Sequence, residues 1–320
     1  MKILITGGAG FIGSNLAIRL YSLGHEIIII DNLSTGFLKN LEDIKDNIIF
    51  ENEDITNRNE IFKIFEKYKP EYVFHLAAQS SVSQSVKNPV LDMKINYEGS
   101  KNIIDACSFF DVKKIIYSGS GGTYYGDYYK DKNIINTSRL NLEKLAPKEF
   151  NKPNPISPYG ISKAKVLKLL KEQNKLKWVA LMYGNVYGPR QNPFGEAGVI
   201  SIFSKKMLLN EKPIMYGDGK CIRDYVFVND VISANILTLE NGNNEMVNIS
   251  NNRGYNTLEI YKMLKNLIDY EDDFIKKPFR DGDVLISILN IEKSKNILNF
   301  KPEYNIKKGL KNTISYLKDN

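Results

Sequence analysis

The chain has 320 residues, room for one large α/β domain or two smaller ones, and its 42% hydrophobic and 25% charged residues are ordinary for a soluble globular protein. Two cysteines (Cys107, Cys221) and two histidines (His25, His75) make no disulfide framework and argue against a zinc site or a histidine-centred hydrolase. The net charge of +7 comes mostly from scattered lysines, which reads as a solvated basic surface and not a nucleic-acid site. No apolar run reaches membrane-spanning length, so no membrane partner is expected. A first strand beginning at Lys2 leaves no signal-peptide pattern, and a reducing cytoplasm is the expected location.

The first predicted strand, residues 2–6, runs into Gly7-Gly8-Ala9-Gly10-Phe11-Ile12-Gly13, and a helical pattern leaves it over 15–23. The run reads as G-x-G-x-x-G from Gly8 and as G-x-x-G-x-x-G from Gly7. Glycines let backbone N–H groups approach a pyrophosphate, with a helix N-terminus facing its charge. A second strand, 26–30, ends in Asp31, an acidic residue suited to a ribose hydroxyl pair. Further strands are predicted at 47–51, 72–75, 114–118 and 178–183. Helices are predicted at 57–69 and 93–109, and a proline-marked start at 155–159 leads into another over 161–173. This alternation implies a Rossmann-like doubly wound parallel sheet covered on both faces. Residues 127–151 read as a surface excursion with one short helix at 138–145. After Gly184, glycine and proline loops become frequent. The expected division is a dinucleotide-binding domain over 1–184 and a smaller mixed lobe over 185–320, with a strand near 246–249 returning to the main sheet.

Two further signals carry chemistry. Tyr159-Gly160-Ile161-Ser162-Lys163 places a phenol and an ammonium at i and i+4, on one helix face. The ammonium is expected to lower the phenol's pKa and make Tyr159 a general acid/base. In a lysine-rich chain, Arg190, Arg223 and Arg280 stand in glycine-containing loops, where the planar guanidinium fork matches a diphosphate.

Taken together these residues resemble the extended short-chain dehydrogenase/reductase family, and within it the nucleotide-sugar 4-epimerase group. The resemblance covers nearly the whole chain. It is carried by 6–13, by Asp31-Asn32-Leu33-Ser34-Thr35-Gly36, by Asp54-Ile55, by His75-Leu76-Ala77-Ala78-Gln79 and by Asn96. Further on it is carried by Tyr159 to Lys163, by Asn185-Val186-Tyr187-Gly188-Pro189-Arg190-Gln191 and by Arg223-Asp224-Tyr225-Val226. Gly195-Glu196-Ala197-Gly198-Val199 resembles the epimerase group in particular.

By that resemblance Gly7, Gly10, Phe11, Ile12 and Gly13 hold the pyrophosphate of NAD, and Asp31 its adenosine ribose. No arginine follows Asp31 closely and a carboxylate repels a 2′-phosphate, which favours NAD over NADP. Asn32, Ser34, Thr35 and Gly36 belong to the same cofactor loop. Asp54 and Ile55 flank the adenine, with a loop cap as the other reading of Asp54. Leu76, Ala77, Ala78, Gln79, Asn96, Ser118 and Tyr183 line the cofactor channel, and His75 is a structural strand-end residue. The catalytic set is Tyr159, Lys163 and Ser120, with Ser118 and Thr123 as alternatives for the hydroxyl because Gly119 breaks the family's usual paired-hydroxyl pattern. Ser120, Thr123, Tyr159, Asn185, Val199, Tyr216, Arg223, Arg280 and Asp283 surround the substrate, and Ser287 limits its sugar bay. An ion pair with Asp224 or Asp230 is the other reading of Arg223. No metal is expected.

The activity so implied is a redox-neutral epimerisation at C4, interconverting UDP-glucose and UDP-galactose and open to the N-acetylhexosamine forms. The phenolate takes the O4 proton, NAD takes the C4 hydride, and the 4-keto sugar turns over before both return. A homodimer through the helices after Met93 and Ile161 is expected. A nucleotide-sugar 4,6-dehydratase or a uronic-acid-sugar decarboxylase is the enzymatic alternative. Gly122-Thr123 stand where related dehydratases carry Asp-Glu. A non-catalytic NAD-sensing protein is the alternative of another class.

Overall fold

Short apolar runs of β-branched residues build the centre of the molecule. The first half of the chain forms β1 (Lys2–Thr6), α1 (Phe11–Ser22), β2 (Glu26–Ile30), β3 (Ile49–Glu51), α2 (Arg58–Tyr68), β4 (Tyr72–His75), α3 (Val82–Lys87), α4 (Pro89–Met93), α5 (Ser100–Phe109), β5 (Lys114–Ser120), α6 (Gly121–Tyr125), α7 (Arg139–Lys144) and α8 (Pro158–Lys171). The second half forms β6 (Lys177–Tyr183), β7 (Asn185–Tyr187), α9 (Val199–Leu208), β8 (Ile214–Tyr216), β9 (Ile222–Phe227), α10 (Val228–Leu237), β10 (Glu245–Ile249), β11 (Gly254–Asn256), α11 (Thr257–Ile268), β12 (Ile275–Lys277), β13 (Ile286–Ser287), α12 (Glu292–Leu298) and α13 (Ile306–Asp319). This computed structural model describes all residues except 131, 133–136, 195–197, 280–283 and 320.

The main sheet has the order β3-β2-β1-β4-β5-β6-β10, and every neighbouring pair is parallel. Its strands are buried on both faces, as a parallel sheet requires. Ile3, Ile5, Ile27, Ile29 and Leu181 face one core; Leu4, Ile28, Ile30, Ala180 and Met182 face the other. The chain reverses direction across the sheet between β1 and β4. That switch point opens a crevice at the carboxyl ends of the strands, where ligands bind in open α/β sheets.

Residues 93–109 form two elements where the apolar spacing predicts one helix. A π-helical turn (Lys94–Gly99) leads into α5. Such turns re-aim side chains and recur at functional sites; here Asn96 is turned fully inward.

The smaller sheet centres on β9, which pairs with β11, β13 and β7. Parallel pairing of β13 with β9 sets Ser287 opposite Arg223. The 127–151 excursion is fastened to this lobe. Asn248 Nδ2 donates to the Pro147 carbonyl (3.2 Å), Arg139 pairs with Glu259 (2.6 Å) and Lys148 with Glu292 (2.8 Å).

Candidate active site

The turn between β1 and α1 closes tightly on itself. Gly7 has φ +71°, and a Cβ there would stand 2.7 Å from the Ala77 backbone nitrogen. A Cβ on Gly13 would stand 2.1 Å from the Gly7 carbonyl oxygen. Only glycine fits either position. α1 begins after Gly10 with no side-chain cap and no acidic residue in its first turn, so the amides at Phe11 and Ile12 are offered to an anion. Beside the turn, the Asp31 carboxylate accepts the Ala9 N–H (2.9 Å) and the Leu33 N–H (2.8 Å). Burial raises its carboxyl above the ordinary range, and these two bonds partly offset that. Asn32, Ser34 and Thr35 follow, exposed, and Gly36 lies against Ala9. Asn32 Nδ2 donates to Asp54 (2.8 Å), whose other oxygen accepts the Thr56 N–H (2.8 Å). Asp54 is therefore a loop cap and a wall of the crevice at once, while Ile55 is buried against Gly99. A glycine cradle, an uncapped helix start and an acidic strand end fit the pyrophosphate and ribose of NAD.

The floor is held by His75. Its Nδ1 lies 2.7 Å from Thr6 Oγ1 and its Nε2 lies 2.8 Å from Ser100 Oγ. Burial, and then the charge of Lys163, push its pKa down to about 3, so it stays neutral as a strut. Leu76, Ala77 and Ala78 continue from it along the crevice edge. Two residues that the resemblance puts in the cofactor channel spend their side chains elsewhere. Gln79 Nε2 donates to the Ser81 carbonyl (2.9 Å) and Asp92 (2.8 Å). Asn96 accepts the Gln79 N–H (2.8 Å) and donates to the Gln79 carbonyl and to Asp92 (both 3.0 Å). They shape the channel from behind.

α8 presents the phenol and the ammonium. Ser157 caps it by accepting the Gly160 N–H (3.2 Å), and Pro158 presets its first turn. The Tyr159 hydroxyl faces the Ser120 side chain at the end of β5, near enough for Ser120 to favour its ionised form. Lys163 Nζ donates to the Ser118 carbonyl (2.9 Å) and stands 4.8 Å above the Tyr117 ring. That bond uses one of its three donors. Ser120, Tyr159 and Lys163 are thus brought together. Thr123 turns its hydroxyl back to the Ser120 carbonyl (3.4 Å), and the Ser118 side chain faces Tyr183. The Tyr183 hydroxyl is further engaged with Asn235, so its side chain is taken up below the cleft.

The phenol's acidity differs from the expectation. Burial is the largest effect and raises its pKa; the Asp92 carboxylate raises it further, and only the Ser120 side chain opposes them. Lys163 Nζ is aimed at the Ser118 carbonyl. Burial lowers the Lys163 ammonium to about 8, with Asp92 opposing. Asp92 was not visible as a site residue because its partners Gln79 and Ser162 lie 13 and 70 positions away.

On the other side, Ser287 meets the catalytic motif. A Cβ on Gly122 would stand 2.9 Å from Ser287 Oγ. Asn185 on β7 pairs in register with Tyr225, Tyr216 ends β8, and Val199 opens α9. Arg223 makes no ion pair with Asp224 or Asp230. Asp224 takes the N–H groups of Asn251 and Leu289, and Asp230 those of Glu303 and Tyr304. The Arg223 guanidinium donates to the Ile222 carbonyl (3.0 Å). Arg190 is no phosphate anchor: it bonds the Asn40 carbonyl, Asn15 and Asp43, tying β7's loop to the first domain. Arg280, Asp283 and the 195–197 part of the epimerase-like run lie outside the described residues. No group of three or more metal-ligating side chains occurs among the described residues, and no helix there is long and apolar enough to cross a membrane.

Residues 3–250 match the family model described as the NAD dependent epimerase/dehydratase family. A putative UDP-glucose 4-epimerase of Methanocaldococcus jannaschii is 40% identical over 99% of both chains. The crystal structure of a Thermotoga maritima UDP-glucose 4-epimerase with UDP-glucose superposes with a TM-score of 0.92 at 41% identity, covering 100% of this chain and 99% of that one. A Thermus thermophilus UDP-glucose 4-epimerase in complex with NAD superposes at 0.90 with 33% identity, covering 99% of each.

Proposed function

From its membership of the NAD-dependent epimerase/dehydratase family and the geometry above, we propose that the chain is a UDP-hexose 4-epimerase interconverting UDP-glucose and UDP-galactose. The observation that carries this reading is the Tyr159 hydroxyl facing the Ser120 side chain with Lys163 one turn away on α8, set beside the glycine cradle at the switch point. The Gly7–Gly13 turn and Asp31 would hold NAD, which when bound would supply reversible oxidation at C4 of the sugar. The chain's own part is acid–base and positional. Tyr159 takes the O4 proton and gives it back. Ser120 shares the hydrogen bond to O4 and fixes the oxygen's position. Lys163 has donors left for a ribose hydroxyl and carries positive charge beside the phenolate. Arg223 and Arg280 hold the nucleotide diphosphate, and Asp283 meets the nucleotide ribose, away from the reacting ring, so the ring is free to present either face. Gly122 and Thr123 supply no carboxylate for eliminating water across C5–C6, which supports epimerisation over dehydration.

Ser287 is small, and this favours admission of the N-acetylhexosamine forms as well. Exposed Val86, Val90, Leu91 and Ile161 on α3, α4 and α8 support pairing with a second copy. The free thiols suit a reducing cytoplasm.

The test is direct. The protein with NAD is given UDP-galactose and followed by proton NMR. Appearance of UDP-glucose supports the reading. A 4-keto-6-deoxy product points to a dehydratase, and binding without turnover points to a sensor.

A further inference from the structure

Most buried charged groups here are spent on the fold. Lys114 donates to the carbonyls of Thr238 and Gly242 beyond α10, Asp230 holds the 303–304 backbone, and Glu149 accepts the Asn248 N–H. Asp92 is placed differently. It is the fourth residue of α4 and only 1% exposed. Gln79 Nε2 (2.8 Å) and Asn96 Nδ2 (3.0 Å) donate to one of its oxygens, and Ser162 Oγ (2.7 Å) donates to the other. Every partner is a neutral donor, the pattern of a carboxylate whose charge is dispersed but not cancelled.

Ser162 lies between Tyr159 and Lys163 on α8, and its hydroxyl also reaches the Tyr159 carbonyl (2.9 Å). Asp92 therefore grips the turn of helix that carries both groups. Through Gln79 and Asn96 it grips the segment after β4 and the π-helical turn as well. Three separate pieces of the crevice meet on one buried anion.

We propose that Asp92 is a positioning residue for the Tyr159–Lys163 pair, a fixed negative charge that acts through Ser162 and sets the balance of charge around the proton-transfer group. The proposal rests on the reading of Tyr159 as the acid/base. Other groups near the pair are Tyr117 on β5, His75 on β4 and Tyr124 on α6, all uncharged. Lys87 on α3, Lys94 and Glu98 on the π-helical turn, and Lys165 on α8 itself are at the surface. Lys101 and Asp105 on α5 pair with each other, and Asp105 also with Arg58. Asp92 is the buried charge that the pair faces. It raises the phenol, in addition to burial, and offsets burial's effect on the ammonium. Removing the charge moves both groups the same way: the phenol ionises, and the ammonium loses its proton, at lower pH.

The variant Asp92→Asn keeps the shape. Its amide oxygen still accepts from Gln79 and Asn96, and its NH2 faces a Ser162 hydroxyl that can give its proton to the Tyr159 carbonyl. In the NAD-loaded protein, both limbs of the pH profile of kcat/KM are expected to fall by on the order of one pH unit. The Lys163 Cε resonance, assigned with Lys163→Arg, is expected to titrate below the parental midpoint by a similar amount. A profile and a titration that stay in place overturn the proposal, whatever happens to stability. If Asp92→Asn does not fold, Ser162→Ala cuts the bridge and leaves the charge: kcat should fall several-fold with KM little changed, and parental kcat overturns the proposal. If no nucleotide sugar is turned over, the functional reading fails, and the Lys163 titration still decides the role of Asp92.

Discussion

The two sides of the crevice are held by different means. On the dinucleotide side the backbone does the holding. Gly7 and Gly13 leave no room for a Cβ, Asp31 is tied to two amides, and His75 is a strut between Thr6 and Ser100. On the nucleotide-sugar side the groups stand at the ends of short strands, and the Arg223 guanidinium is bonded to the carbonyl of its own neighbour. A donor with few internal ties can hold a diphosphate without first breaking a bond within the protein. The contrast suits the proposed reaction, in which one ligand must sit identically at every turnover while the ring of the other must turn.

The sharpest way to break this contrast is to remove chemistry from the rigid side without disturbing its binding. Tyr159→Phe deletes one hydroxyl on a well-packed helix. We expect kcat to fall by about 10^3-fold or more, with NAD still co-purifying, as read from the nucleotide released on denaturation. Retained turnover would take Tyr159 out of the mechanism. Lost NAD would show that the rigid side does not separate binding from chemistry.

A smaller effect is expected across the crevice. Arg223→Leu would remove the proposed charge-assisted contact with phosphate, so KM for the nucleotide sugar should rise by roughly 10- to 100-fold. Thermal stability should hardly change, because among the described residues the guanidinium bonds only the Ile222 carbonyl. A large loss of stability, read by calorimetry, would mean that this side is as internally tied as the other. Smaller still is Ser287→Tyr. The new ring must pass Gly122, so it should exclude UDP-N-acetylglucosamine and spare UDP-glucose, by about tenfold in relative kcat/KM. Equal loss of both substrates would contradict a gatekeeping role for position 287.

The contrast also explains what a reader of the sequence can see. The glycine turn, Asp31 and the Tyr-x-x-x-Lys pair each compress their chemistry into a few consecutive residues, and the alternation of strands and helices announces the parallel sheet. The β9-centred sheet was hidden because β7, β11 and β13 are two or three residues long and separated by loops. The π-helical turn was hidden because its apolar spacing differs little from that of the helix it joins. Arg190 read as a phosphate ligand from its glycine-rich context, yet its partners Asn15, Asn40 and Asp43 lie 175, 150 and 147 positions away. Asp92 gave no local signal at all. Residues that act through distant partners are invisible to spacing, and in this crevice they are the ones that tune the groups spacing does reveal.

The smallest effect concerns pH, and on the substrate side it centres on Asp224. Asp224, beside Arg223 on β9, is buried, and its carboxylate takes the N–H groups of Asn251 (3.1 Å) and Leu289 (3.2 Å). Burial nevertheless pushes its pKa up to about 7, with the hydrogen bonds from the backbone N–H groups opposing. The unfolded value is about 3.9. Between these values the folded chain holds a proton that the unfolded chain has lost, so this group's contribution to stability is full below about pH 4 and is lost as pH rises to about 7. Asp224→Asn abolishes that titration. Its melting temperature should fall less than the parent's between about pH 5 and about pH 8, a difference of a few degrees. Hydrogen exchange of the amides around Leu289 and Asn251, corrected for the intrinsic rate, should carry the pH dependence in the parent and lose it in Asp224→Asn. Parallel melting curves for the two proteins would mean that Asp224 keeps its charge at neutral pH, held by the same N–H groups. Its side of the crevice would then be as firmly pinned as the side built on Asp31.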